Sequence, residues 1–500
     1  MKLAIEPPPS ATVVHEPLSI RLTLTNDGSG TPVPTDYLDA DILSLTLYDA
    51  GGTELATASG YTTEARLGGQ PAMKRQESMR TATLPADRAM QWTVDLLEYF
   101  DMDEPGDYGI EARFMFRPSS IDARSERAAI TVAPNDCRWL AFHADQVAMA
   151  LVMYLERPGG NGAPRALVHF SRPDAPTHFW KGYVVPVPPG ARARLSQADF
   201  MTLDSFEHDF QRWVVWVENG TVGGLRLGEG GNEAASFTAA VHAGDSMVGN
   251  PVQHRDHGVS VLVLGETDGE QVLGARRFDA TGGFQGARTM STYRSAPSPL
   301  TASSDWKGNV YALSATGGHL PLDLVVAPAD GAARRHTILS PDTLSPAWSR
   351  LAEAEVLALR ADTQLVVAKA RAVLALLRVG AAAEQRLVFV RVALSDDGCP
   401  SGEPSIVDAP FPRELLGDGE QIAAAAIAQG AGRLHAVINS SGGRVLYLTP
   451  DQTPREVATL PAGTIGQADF LLMGGGVYLV QPTATRGMRH TVIEEPPARP

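Results

Sequence analysis

Cysteine is scarce in this chain: Cys137 and Cys399 are the only two in 500 residues. They lie far apart and match no metal-ligand or redox spacing. Two reduced, buried thiols are therefore expected, and a disulfide framework is excluded as the source of stability. Positive charge is also in short supply. Forty-two Lys and Arg face fifty-seven Asp and Glu, for a net charge of −15. A nucleic-acid partner needs clustered cations against the phosphates, so that class is set aside. No apolar run approaches the roughly 18 residues that span a bilayer, which gives no membrane role. The opening Met1-Lys2-Leu3-Ala4-Ile5-Glu6-Pro7-Pro8 has no apolar signal core. A cytoplasmic protein is the expectation.

Glycine and proline, at 48 and 36 residues, suit a turn-rich β chain. A length of 500 residues exceeds one ordinary core, so two or more domains are expected. The acidity is uneven. Residues 1–133 hold 20 Asp and Glu against 11 Lys and Arg, a net of −9, and the rest of the chain carries the remaining −6.

Within residues 1–133, Leu18–Thr25 and Ile42–Tyr48 alternate apolar and polar side chains, the period of a strand with one buried face. Trp92–Leu97, Gly109–Phe114 and Ala128–Val132 continue the series, with turns at Asn26–Gly30, Asp49–Gly52 and Pro105–Asp107. Six or seven short strands in this length predict a β-sandwich. The strand ending in Asn26-Asp27-Gly28-Ser29 and the Pro105-Gly106-Asp107-Tyr108 corner resemble bacterial immunoglobulin-like domains. The resemblance implies a tyrosine corner at Tyr108, and it departs from antibody domains in lacking the Cys…Trp…Cys core. Asp95, Glu98, Asp101, Asp103, Glu104 and Asp107 crowd one stretch. A solvated acidic loop is the expectation, with a docking surface for a basic partner or a calcium site as alternatives.

From residue 137 to 496 a hairpin of two apolar strands returns every 40–65 residues. Seven groups stand out: Val147–Met153 with Ala166–Phe170, Trp213–Val217 with Gly224–Leu227, and Val259–Leu264 with Gln271–Ala275. They continue with Asn309–Leu313 and Leu322–Val326, Ala372–Leu377 and Leu387–Val392, Leu434–Ile438 and Val445–Leu448, and Phe470–Met473 with Val477–Val480. Strands apolar throughout are covered on both faces. The period predicts a β-propeller, seven-bladed, with six or eight blades as alternatives. Residues 347–379, rich in Ala, Leu, Glu and Arg, are read as strands rather than helix. The run Asp305-Trp306-Lys307-Gly308-Asn309-Val310-Tyr311-Ala312-Leu313-Ser314-Ala315-Thr316-Gly317 resembles one blade of the quinoprotein-like propellers. It implies that fold alone. The WD repeat of the WD40-like members is missing. The fold class is therefore all-β: an immunoglobulin-like β-sandwich over 1–133, a propeller over 137–496 and a disordered tail over 497–500.

Candidate sites are sparse. His254-Arg255-Asp256-His257 offers two imidazoles and a carboxylate, the donor types zinc or iron prefers. With no third ligand identifiable, a polar loop is the expectation. His169, His178 and His208 show no nucleophile arrangement around them. Trp213 and Trp216 share one strand on opposite faces, so one should pack between sheets while the other is partly exposed, as core or as a stacking platform for a sugar or peptide. Pro158–Gly162 lacks the Lys-Ser/Thr of a phosphate loop, and Gly474-Gly475-Gly476-Val477-Tyr478 only echoes a kelch strand. No catalytic residue, metal or cofactor is assigned, and no binding residue is singled out. The expected role is non-enzymatic, as an interaction or scaffold protein with a protein partner. The alternatives are an enzyme with its site in the propeller funnel, acting on carbohydrate as hydrolase or lyase, and a structural subunit of a larger assembly.

Overall fold

The computed structural model describes the chain except residues 10, 15, 35–41, 57–79, 101, 103, 135–137, 145–148, 156–164, 173–174, 187–191, 196–212, 219, 228–232, 242–244, 249–250, 255, 306–307, 330, 363–370, 381–384, 431, 462–468, 474–475, 483–487 and 495–500. Between 138 and 195 it describes the backbone. The regular secondary structure of the described chain is almost entirely β-strand. It divides into two compact units: residues 1–137 with 154–184 and 485–488, and residues 138–153 with 185–484 and 489–500.

In the first unit, Lys2–Glu6, Ser19–Thr25 and Ala89–Asp95 form one antiparallel sheet. A second sheet runs in the order Thr12–Val13, Ala128–Ala133, Gly106–Phe116, Leu43–Tyr48, Glu54–Leu55, with Ile121–Arg124 added beside Gly106–Phe116. Thr12–Val13 joins its neighbour in parallel, while every other pairing in these two sheets is antiparallel. The first stretch of chain thus pairs with one sheet and then with the other. The alternation in Ser19-Ile-Arg-Leu-Thr-Leu-Thr places Ile20, Leu22 and Leu24 inward. They meet Leu47, Ile110, Phe114 and Ile130 from the facing sheet in one shared core. Trp92 packs on Phe114 with ring centroids 5.8 Å apart. Each such buried side chain contributes about 1.5–3 kcal/mol.

The acidic stretch is tied into this framework. Asp95 Oδ1 accepts from the Leu18 and Leu97 amides, each at 3.1 Å, and Asp107 accepts from the Thr131 hydroxyl at 2.8 Å. Asp101 and Asp103 lie outside the described residues. The Tyr108 hydroxyl donates to the Glu104 carbonyl at 2.7 Å. Tyr108→Phe is expected to lower the unfolding free energy by about 1 kcal/mol, the usual net worth of one such bond. Urea melts of the two proteins measure this, and coincident midpoints would reject it.

The second unit is a succession of antiparallel sheets. Four described ones run in sequence order: 192–240, 246–293, 297–410 and 422–459. The 297–410 sheet is two four-stranded meanders, 297–339 and 355–410, joined through the single pair His319–Glu355. Asp469–Met473, Gly476–Pro482 and Met488–Glu494 form a further three-stranded sheet.

Strand period explains why these runs are apolar throughout. Successive side chains point to opposite faces. In Val259–Thr267, Val259, Val261 and Val263 pack on Trp213, Val215 and Val222 of the preceding sheet. Leu262 faces the other way, onto Ala302, Val310 and Ala312 of the following one. The pattern repeats at Ala372–Val379, where Val373, Ala375 and Leu377 face Tyr311 and Leu313, while Leu374 and Leu376 face Ile427, Ala436 and Ile438. Val437, Val445 and Tyr447 then meet Val477 and Leu479. Sheet stacks on sheet through both faces, the packing that a β-propeller requires.

One reading is corrected. Residues 347–379 are not all strand: Pro346–Glu353 forms a 3-10 helix, followed by strands Glu355–Asp362 and Ala372–Val379. Pro346 sits at the start of the helix, where its fixed φ and missing N–H cost nothing. Leu351 anchors the helix, fully buried, in the core between the two meanders. Leu365-Val366-Val367 and the 497–500 tail lie outside the described residues.

Candidate functional site

The His254–His257 run follows the short strand Val252–Gln253 and leads into Val259–Thr267. A tight turn separates the two imidazoles. The His254 amide donates to the Gly258 carbonyl, the His257 amide donates to the His254 carbonyl, and His257 takes a left-handed φ of 62°. Asp256 Oδ1 accepts from the Gly258 amide at 3.1 Å. The His257 carbonyl accepts from the Trp213 indole at 2.8 Å, which fastens the turn to the preceding sheet.

His254 is 4% exposed, and its Nε2 lies 2.7 Å from the Ser260 hydroxyl. Its Nδ1 is buried without a hydrogen-bond partner among the described residues. That atom sits beside Gly308, where an added Cβ would come within 3.3 Å of it, at a φ of +81° that favours glycine. Together they line a cavity of about 190 Å³ between the 246–293 and 297–339 strands. Arg277 and Arg288 complete its polar wall, and the remaining lining is small side chains such as Ala275 and Ala287. Burial, with the positive charge of Arg277, holds His254 down at about 4, so its ring is neutral near pH 7. Arg277 pairs with Asp256 at 2.8 Å. Arg288 donates to the Pro328 carbonyl at 2.6 Å and the Ala327 carbonyl at 3.1 Å, bracing the next sheet. Within this run the His254 Nε2 is engaged by Ser260, and two arginines from neighbouring strands, Arg277 and Arg288, join the imidazole. Arg255 lies outside the described residues.

A second polar centre surrounds Asp305. Its carboxylate accepts from the Asn309 amide at 3.0 Å, the Asn309 side chain at 2.8 Å, the Tyr311 hydroxyl at 2.7 Å and Arg371 at 3.2 Å. The Asp305 and Arg371 side chains are 0% and 3% exposed. Burial, reinforced by the Asp305 charge, pushes the Tyr311 hydroxyl well above its ordinary range and keeps it a donor. Gly398, at φ +80°, packs against the Tyr311 ring and hydroxyl, where any side chain would collide. The Asp, Gly, Asn and Tyr of the blade-like run thus close a loop on themselves and tie it to the adjacent meander. This is a fastening between sheets. Trp306 and Lys307 lie outside the described residues.

A third centre is built the same way. His435 Nδ1 lies 2.7 Å from the Tyr447 hydroxyl, which donates to Glu494 at 2.9 Å. Burial pushes His435 below its ordinary value. Cys399 is free and half-buried rather than fully buried, with its Sγ 3.7 Å from His336 Nε2. Burial and the Asp397 charge raise its thiol, which opposes a reactive thiolate. Trp213 is buried between sheets, and Trp216 on the opposite face is partly exposed and lies over Gly223. Cys137, His208, Pro158–Gly162 and Gly474-Gly475 fall outside the described residues, as do the side chains of His169 and His178. Among the described residues no three His, Cys, Asp or Glu side chains gather as a metal-binding group. Among the described residues no helix is long and apolar enough to cross a membrane.

No family model matches the chain, and none of the curated proteins does. Solved structures with a similar fold include the Nup133 β-propeller domain of Vanderwaltozyma polyspora, at 9% identity and a TM-score of 0.38 over 70% of this chain and 92% of that one. The β-propeller domain of the Trilobed protease from Pyrococcus furiosus matches at 9% identity and a TM-score of 0.34, over 72% and 94%. The polysaccharide lyase Uly1 matches at 8% identity and a TM-score of 0.37, over 71% and 90%. Likenesses this distant assign neither a family nor an activity to the chain.

Proposed function

We propose that this chain is a non-enzymatic interaction or scaffold protein. It consists of an immunoglobulin-like sandwich over residues 1–133 and a propeller of seven blades over 137–496, and it acts on a protein partner in the cytoplasm. The parallel pairing of Thr12–Val13 with Ala128–Ala133 and the Tyr108 corner support the first part. For the second, the strand Arg138–Ala144 lies against both Arg192–Leu195 and Asp469–Met473, as the inner strand of a first blade would in a closed ring.

The observation that carries the functional reading is the use made of buried polar groups. Asp305, Arg371, His435 and Tyr447 are each committed to joining strands. Such a body is rigid and displays its loops as a fixed surface, which suits recognition. The test is to purify the tagged full-length chain from its native source and reconstitute the complex from purified components under light scattering. A partner in fixed stoichiometry is expected. A solitary monomer that turns over a polysaccharide would replace this reading with the funnel enzyme.

A further inference from the structure

We propose that the cleft between the 246–293 and 297–339 strands is an oxyanion-binding site. It takes a phosphoryl or carboxylate group on Arg277 and Arg288, with His254 Nδ1–H as the third donor. The site goes beyond the scaffold reading and does not depend on it.

Three observations converge. First, the buried His254 Nδ1 has no partner among the described residues, a state that destabilises the fold unless something fills it. The proposal assigns the Ser260 hydroxyl, 2.7 Å from Nε2, as the donor to that nitrogen, which puts the neutral ring's proton on Nδ1. Second, two guanidiniums line the same cavity. Arg288 is depressed by burial and by the like charge of Arg277, so the two repel across it. Asp256, paired with Arg277, offsets one of these charges and leaves the other. Third, donors remain. A guanidinium has five N–H groups. Arg277 spends one Nη on Asp256. Arg288 spends Nη1 and one Nη2 hydrogen on the carbonyls of Pro328, Gly331 and Ala327, which leaves Nε–H and a second Nη2 hydrogen.

The lining sets the ligand's size. Ala275, Ala287, Gly308 and Ala329 surround a cavity of about 190 Å³, and among its described lining residues the His254 imidazole is the one ring. A small anion, or the anionic end of a larger molecule, fits.

The experiment titrates the full-length chain with inorganic phosphate and, in a second arm, with acetate. Heat is followed by calorimetry and the His254 side-chain nitrogens by NMR. Saturable binding that moves Nδ1 is expected. Arg277→Gln should weaken it about tenfold, the scale of one charge-assisted contact. Arg277 is partly exposed and, among the described residues, pairs with the exposed Asp256, so this variant keeps its fold, which a thermal melt without anion verifies. Stronger binding of phosphate assigns a phosphoryl ligand, and stronger binding of acetate assigns a carboxylate. No Nδ1 shift with either anion, or equal affinity in Arg277→Gln, overturns the proposal.

Discussion

Replacing Asp305 with alanine is expected to cost about 3–5 kcal/mol of stability, the range for removing one partner of a buried ion pair. The substitution leaves Arg371 charged and enclosed, at 3% exposure. It also removes the acceptor for the Tyr311 hydroxyl and the Asn309 amide. Urea unfolding of the full-length chain measures the loss. Asp305→Ala with Arg371→Met should recover a large part of it, because the second change takes away the stranded charge. A single-variant loss under about 1 kcal/mol would mean that Asp305 fastens nothing. A double variant no better than the single would place the value in the Tyr311 and Asn309 bonds instead.

The second large effect is on pH. His254 titrates near 6.5 in an unfolded chain and at about 4 in the folded one. Between those values the unfolded state binds the proton more readily, so stability rises with pH across the window and is lost as pH falls through it. The 2.5-unit gap corresponds to roughly 3 kcal/mol by pH 4. Desolvation supplies most of it, with Arg277 and Arg288 adding to it and Asp256 opposing. His435, pushed down by its own burial, adds to the slope in the same direction. Urea melts at pH 4.5 and 7 should therefore differ more for the native chain than for His254→Gln. Equal differences would show that His254 is protonated as easily inside as out.

Much of the β architecture is legible in the chain, because a sheet covered on both faces needs strands without polar alternation. Val259–Leu264 and Ala372–Leu377 announce that directly. The alternation in Ser19–Thr25 announces the opposite, a one-sided sheet, equally well. The 3-10 helix at Pro346–Glu353 carried a signal, Ser345-Pro346, that its Ala- and Leu-rich surroundings obscured. The polar centres were less readable. Asp305, Asn309 and Tyr311 are neighbours in sequence, but Arg371 arrives 66 residues later from another meander. No local spacing encodes that meeting. Arg277 and Arg288 sit in exposed-looking strands, Ala275-Arg276-Arg277 and Gly286-Ala287-Arg288, where a solvated charge is the ordinary outcome. His254 and His257 suggest a pair by spacing, and the turn at φ 62° undoes it.

The two-faced strands constrain how relatives of this chain can differ. Adding or deleting one residue inside Val259–Leu264 would turn Val261 and Val263 toward the neighbour that now receives Leu262, and the reverse, spoiling two interfaces at once. Length changes in such a lineage should fall in the hairpin tips, while strand interiors drift only by substitution.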